Sequence, residues 1–282
     1  MSLLTTYTTQ RTTKIAHLTI SHAQKLNSLT TPLLTSLTQT LSTIPKTNLH
    51  AITLTGAGRK SFIGGADLNE LSTLPNAAAA RKFITSVHET CTAIRTCPVP
   101  VIARINGFAL GAGLEIAAAC DLRVAAKGAV FGMPEVRLGI PSVVEAALLP
   151  GLIGWGRTRQ LLLLGGTISA SEALRWGLVE RVVEDEELDS AVAEWTSEIG
   201  RNGALAVRRQ KALISRWEEL SLAGGIEAGI EAFGECFDGD GGTEPGRMIG
   251  EFFKEKERSK ARKARIEARD KVVASSKGEE GL

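Results

Sequence analysis

The stretch INGFALGAGLEIAAACDLRVAA, Ile105–Ala126, decides how this chain is read. It continues a strand-like run, "VPVIARING" (99–107), so the residues from Gly107 to Gly113 form a turn that opens a helix. On that helix Glu115 is the single polar side chain between Ala109 and Ala119. An ionised carboxylate among small, apolar neighbours is costly unless it is paired, hydrogen-bonded or in use.

The same pattern recurs on the N-terminal side. "LHAITLTG" (49–56) reads as a buried strand, and "RKSFIGGADLNEL" (59–71) as a glycine-rich turn into a short helix. Earlier still, "LLTTYTT" (3–9) and "KIAHLTIS" (14–21) alternate by two. They precede a helix over 31–44 with Leu33, Leu34, Leu37, Leu41 and Ile44 on one face, Thr31 as N-cap and Pro32 at the first helical position. A long helix is predicted from Ala77 to Thr96, stopped by Pro98. Three strand–turn–helix passages before residue 125 predict an α/β fold, a layered core of repeated strand-strand-helix units.

Beyond Pro141 the pattern is mostly helical, with one short apolar strand in "GLVERVV" (177–183). Ser169 with Glu172 three residues on is a helix-start signal. From Leu188 onward only helices are expected. Lys254–Lys271 carries nine Lys/Arg and four Asp/Glu, which reads as a solvated helix fraying into the tail "ASSKGEEGL" (274–282). The organisation expected is a core over 1–195, a helical region over 196–258 and a charged, flexible tail over 259–282.

Composition excludes several classes. A chain of 282 residues, 43% hydrophobic, can bury a substantial core, and a net charge of +2 demands no polyanionic partner. Cys91, Cys97, Cys120 and Cys236 form no CxxC pair and read as buried thiols in a reducing compartment. The four histidines are scattered without an HExxH, so no metal site is expected, and no apolar run reaches the length of a membrane span. The N-terminus is basic and Thr-rich, with Asp67 its first acid, which is the composition of a transit peptide. A strand pattern begins there almost at once, so the segment is read as mature fold. The expected location is cytoplasmic, with mitochondrial import as the alternative. The ending "GEEGL" is not a peroxisomal signal.

Neither "TGAGRKS" nor "GAGLEI" has the spacing of a phosphate loop or a dinucleotide fingerprint. Each glycine turn can instead present backbone N–H groups at a helix start, and two such turns facing one another would make an oxyanion hole. The candidate donors are the N–H groups of Ala66 and Ala112. The same glycines also serve tight turns and close packing. Glu115 lies one helical turn beyond Ala112, and Glu135 follows Pro134 in "FGMPEVRLGIP". Two carboxylates sharing a water suit acid/base work, one taking a proton and one giving it. A helix-capped Glu115 and an ordinary loop Glu135 are the alternatives.

Five stretches in order resemble the crotonase, or enoyl-CoA hydratase/isomerase, superfamily: "KLNSL" (25–29), "SFIGGADL" (61–68), the run 100–126, "FGMPEVRLGIP" (131–141) and "ISASEALRWGLVERVV" (168–183). The resemblance covers roughly residues 5–255. It implies a ClpP-like spiral of strand-strand-helix units, with C-terminal helices that build homotrimers or pairs of trimers. It also implies an acyl-CoA thioester substrate and no cofactor beyond the CoA that the substrate carries. By position, the N–H groups of Ala66 and Ala112 would hold the thioester oxygen. Glu115 would activate water as base, and Glu135 would deliver a proton to C2. Substrate and CoA contacts are expected at Lys25, Leu26, Lys60, Gly64, Gly65, Asp67, Leu68, Gly111, Pro134 and Gly139.

Members that only shift a double bond often keep a single acid, so the pair Glu115/Glu135 favours hydration. Isomerisation, decarboxylation and thioester hydrolysis are the other reactions the resemblance leaves open. The chain departs from the family pattern at His22 and Ala23, where Arg-Pro is frequent, at Asn69, where a lysine is frequent, and at "GIPSVVEAALL" (139–149). There Val143, Val144 and Glu145 replace small residues beside the acyl group. RNA binding through the basic tail is a reading of another class. Interleaved acids and the lack of any aromatic from Lys254 to Leu282 speak against it.

Overall fold

The N-terminal alternation becomes an antiparallel pair, β1 (Ser2–Gln10) with β2 (Thr13–Ser21), which buries Ala16, Leu18 and Ile20. Residues 2–10, part of the stretch whose composition resembles a presequence, are therefore an edge strand of a sheet. The computed structural model describes residues 1–10, 13–45, 47–238 and 242–279. They fall into two units, Met1–Glu219 and Leu220–Leu282.

After β2 the chain alternates between two sheets. β3 (Leu49–Gly56) enters the larger sheet and β4 (Ser61–Ile63) the smaller; β5 (Val101–Ile105) and β6 (Phe108–Leu110) repeat the step, as do β7 (Leu122–Ala126) and β8 (Val130–Gly132). β9 (Thr167–Ser169) closes the four-stranded sheet, order β4-β6-β8-β9, and β10 (Arg181–Val183) the six-stranded one, order β1-β2-β3-β5-β7-β10. From β2 outward the larger sheet is parallel, with Ile52 beside Val101, Ile102 beside Leu122 and Val124 beside Arg181. This is the expected spiral of strand-strand-helix units.

Helices fill the space beside these strands: α1 (Thr31–Thr43), α2 (Leu68–Ser72), α3 (Ala77–Arg95) and α4 (Ala112–Ala119). α1 buries Leu33, Leu34, Leu37 and Leu41 against α3, which turns in Phe83, Val87, Cys91 and Ile94 at helical spacing. α1 is capped by Thr30, one residue earlier than predicted, while α3 starts at the Asn76 cap, whose Oδ1 accepts from Ala79 N at 3.0 Å. α5 (Leu149–Leu164) and α6 (Ala170–Trp176) follow, with the Ser169 cap as predicted. α7 (Leu188–Arg201) covers the other face of the larger sheet, where Leu188 and Val192 meet Ile102 and Val124. α8 (Ala204–Trp217) completes the first unit.

The second unit holds α9 (Leu222–Glu235) and α10 (Thr243–Glu279). α10 is helical through the charged run, including 259–279 where a fraying tail is expected from sequence; residues 280–282 lie outside the described residues. β6, β8 and β9 have three residues each, too few for a readable alternation, and exist because neighbours pair with them. Among the described residues no helix is long and apolar enough to cross a membrane, and no group of three His, Cys, Asp or Glu is placed to hold a metal.

Two buried amides lock the turns that lead to the site. Asn106 Nδ2 donates to Gly56 O (2.9 Å) and Gly58 O (2.7 Å), and Asn27 Nδ2 donates to Ala57 O (3.0 Å) and Ser61 O (2.8 Å). Replacing Asn106 strands these buried carbonyls. We expect Asn106→Ala to lower the unfolding free energy by about 2 kcal/mol in a urea titration at fixed protein concentration. An unchanged midpoint would contradict the locking role.

Candidate active site

Two backbone turns build one side of a cleft. Gly65, with φ +110°, puts Ala66 in a parallel bridge to Leu29, held by Leu29 N to Gly65 O (2.8 Å) and Asp67 N to Leu29 O (2.8 Å). That bridge leaves the Ala66 N–H itself without an acceptor among the described residues. Gly111, with φ +51°, caps α4, and Ala112 is the first helical residue, so its N–H has no partner inside the helix. Ala66 and Ala112 both line a cleft of about 850 Å3, together with Glu115 and Glu135. Leu71 and Leu74, after the start of α2, and Phe83, Ile84 and Val87 of α3 supply its apolar wall.

The turns require glycine at two positions, Gly113 for steric reasons and Gly111 for its positive φ. A Cβ on Gly113 would lie 2.1 Å from Ile63 O, and one on Gly111 2.3 Å from Glu135 Oε1. The first contact brings α4 hard against β4, and the second shows how closely Glu135 approaches the helix cap. Glu135 begins a short 3-10 turn, Glu135–Leu138, after Pro134, and its Oε2 accepts from Ser142 Oγ at 2.8 Å.

Glu115 is only 4% exposed in the first turn of α4. Burial raises its carboxyl first, and the carboxylates of Glu135 and Glu145 push the same way. The N–H groups of Ala146 and Val143 oppose them, and the net position is raised to about 8. At neutral pH Glu115 therefore holds a proton. The base role implied by the resemblance needs the deprotonated form. By microscopic reversibility the protonated form serves the opposite direction, giving its proton to a departing hydroxide.

The remaining predicted contacts divide. Gly64, Gly65, Leu68, Gly111 and Pro134 line the cleft. Asp67 does not; it caps α2, accepting from Asn69 N (2.9 Å), Glu70 N (3.1 Å) and Ser28 Oγ (3.2 Å). Burial works to raise the Asp67 carboxyl, but the hydrogen bonds from Glu70, Ser28 and Asn69 hold it below the usual carboxylate range. Lys25, Leu26, Lys60 and Gly139 are exposed and lie outside the cleft lining; Leu26 O accepts from Gly64 N at 2.8 Å, and Gly139, with φ +77°, ends the Glu135 turn. Sequence reasoning missed Ser142 as a partner of Glu135, and the α3 wall, whose apolar stripe reads equally as core. Of the substituted residues, Val143 lines the cleft, Val144 is partly buried against the core and Glu145 is buried.

A two-sheet spiral that brings two N–H groups without an acceptor among the described residues and two carboxylates to one apolar cleft has the parts that stabilising charge on a carbonyl oxygen while moving protons requires. The enoyl-CoA hydratase/isomerase family model matches residues 10–262, and the chain belongs to that family. The short-chain-enoyl-CoA hydratase of Clostridium acetobutylicum is 39% identical over 226 residues, 79% of this chain and 86% of that protein. The crotonyl-CoA hydratase of Syntrophomonas wolfei is 38% identical, with the same coverage of 79% and 86%. Among solved structures, an enoyl-CoA hydratase from Bacillus anthracis superposes with a TM-score of 0.82 at 34% identity, covering 89% of this chain and 96% of its own.

Two outcomes follow from this geometry. Gly111→Ala forces Glu135 away and strains the cap, so kcat falls by about 100-fold while circular dichroism stays native-like; full activity would contradict the packing. Unfolded Glu115 loses its proton near 4.5 and the folded form near 8, so the folded state binds the extra proton between those values. Stability from this group therefore falls as pH rises through that window. Glu115→Gln removes the slope, and its stability relative to the parent should grow between about pH 5 and pH 8 to on the order of 3 kcal/mol. A pH-independent difference would show that Glu115 is not held protonated.

Proposed function

We propose that the protein is an enoyl-CoA hydratase, adding water reversibly to a 2-enoyl-CoA to give a 3-hydroxyacyl-CoA. The observation that carries this is the convergence of Glu115 and Glu135 with the free N–H groups of Ala66 and Ala112 in one cleft. In hydration the Glu115 carboxylate takes a proton from water as its oxygen bonds to C3. The double-bond electrons move toward the thioester oxygen, where the two N–H groups stabilise the growing charge, and C2 takes the proton of Glu135. The reverse reaction starts from protonated Glu115. Acid, base and oxyanion donors all come from the chain, so the reaction calls for no metal or redox cofactor.

The names of two relatives, a short-chain-enoyl-CoA and a crotonyl-CoA hydratase, support short 2-enoyl thioesters as substrates, and an apolar cleft wall fits an acyl chain. We infer a homotrimer or a pair of trimers. Supporting this, α9 exposes Ile226, Ile230 and Phe233 along one face, which a second copy can cover. Four free cysteines, three of them buried, fit a cytoplasmic location. The basic run of α10 is read as a solvated helix, with nucleic acid not a partner.

The test is loss of enoyl absorbance with crotonyl-CoA. The parent protein should turn it over, and Glu115→Gln and Glu135→Gln should each lose about 100- to 10,000-fold in kcat. In the dehydrating direction, activity should decline as pH rises through about 8, the position of the Glu115 carboxyl. Binding of CoA esters without turnover of any enoyl thioester would overturn the assignment.

A further inference from the structure

One buried carboxylate is left without work by this mechanism. Glu145 is 5% exposed, sits in the 3-10 turn Val144–Leu148 and does not line the cleft. His88 Nδ1–H on α3 donates to its Oε1 at 2.8 Å, while its Oε2 is buried with no hydrogen-bond partner among the described residues. The His88 side chain is 54% exposed. A carboxylate in such a place costs more than the glutamine or leucine that could fill the same volume.

Its neighbours in the chain bear on both carboxylates of the site. Ser142 Oγ donates to Glu135 Oε2 at 2.8 Å, and the turn packs against α4, where the Val143 and Ala146 amides act to lower the Glu115 carboxyl. Between them Val144 adopts φ +39°, a left-handed conformation that a β-branched residue keeps only when its surroundings enforce it. The His88–Glu145 link is the side-chain tether from this turn to α3.

We propose that Glu145, anchored by His88, is a positioning residue for the acid/base pair: it pins the Ser142–Ala146 turn that holds Glu115 and Glu135, and its charge acts on Glu115. This rests on the acid/base reading above. The titratable groups facing Glu145 are His88 and Cys91 of α3 and Glu115 of α4; Cys120 acts on Cys91 and Glu135 on Glu115. Burial, then the Glu145 and Glu115 carboxylates, hold the Cys91 thiol well above its usual value, and burial pushes Cys120 up to about 12. Both thiols stay neutral. α5, which follows the turn directly, brings no charged side chain before Arg157. The charges acting on Glu115 are thus Glu135 and Glu145.

The experiment measures kcat and KM with crotonyl-CoA for Glu145→Leu, Glu145→Gln and His88→Ala, alongside infrared titration of the Glu115 carboxyl. Glu145→Leu should lower kcat by about 10-fold or more while KM stays within about 3-fold. Glu145→Gln still accepts from His88, so it should recover most of kcat and move the Glu115 titration to lower pH by about half a unit or more. His88→Ala removes the tether, so it should lower kcat by about 10-fold while KM stays within about 3-fold. Parent-like kcat with unmoved titration in both Glu145 variants would overturn the proposal, as would a kcat loss that glutamine fails to rescue. If Glu145→Leu does not fold, the other two variants decide: an unmoved titration in Glu145→Gln or a parent-like kcat in His88→Ala overturns it. A parent protein that fails to hydrate any enoyl thioester defeats the functional reading instead, and the titration shifts still decide the role of Glu145.

Discussion

The site depends on how closely α4 lies against β4. A Cβ on Gly113 would sit 2.1 Å from the carbonyl oxygen of Ile63, a separation no side chain can meet. Because the helix start and the strand end are in backbone contact, the N–H of Ala112 and the N–H of Ala66, three residues beyond Ile63, open onto the same cleft. Neither donor needs a side chain. Their placement is a property of two glycine turns and of the buried amides of Asn27 and Asn106, which hold the 56–61 connection leading from β3 into β4. Preorganised dipoles of this kind stabilise developing charge without rearranging when it appears.

The same close packing sets the electrostatics. An apolar first turn on α4 leaves Glu115 little solvent, and two further carboxylates act on it, so it holds its proton into the mildly alkaline range. Glu135 is held from the other side by Ser142. The pair is therefore asymmetric before substrate arrives, one carboxyl buried within helix α4 and one tethered to a loop. An acid and a base drawn from identical side chains require such unequal surroundings. The cost is stability: a buried carboxyl that stays protonated while its unfolded counterpart ionises weakens the fold at neutral pH.

Much of this was legible in the residues. The glycine turns before α4 and before α2, and the N-terminal alternation, led to a layered core of strand-strand-helix units, to which the family resemblance added the spiral, and the structure has both. Ala66, Ala112, Glu115 and Glu135, in part far apart in sequence, line one cleft. What sequence hid is of two kinds. Three-residue strands carry no periodicity and exist by pairing, as with β9. Side-chain partnerships across long separations leave no local trace: His88 and Glu145 stand 57 positions apart, and nothing in the sequence signals that the two would meet. Asp67 shows the converse, since a residue in the middle of a recognisable motif proved to be the cap of α2.

The central claim is that one cleft presents two amide donors to a thioester oxygen and two carboxylates to the adjacent carbons. A crystal structure with bound acetoacetyl-CoA, a non-hydratable 3-oxoacyl thioester, tests it most directly. The account predicts the thioester oxygen about 3 Å from both Ala66 N and Ala112 N, with the Glu115 and Glu135 carboxyls flanking C2 and C3. A thioester oxygen seated away from either amide, or an acyl group lying outside the reach of the two glutamates, would contradict it.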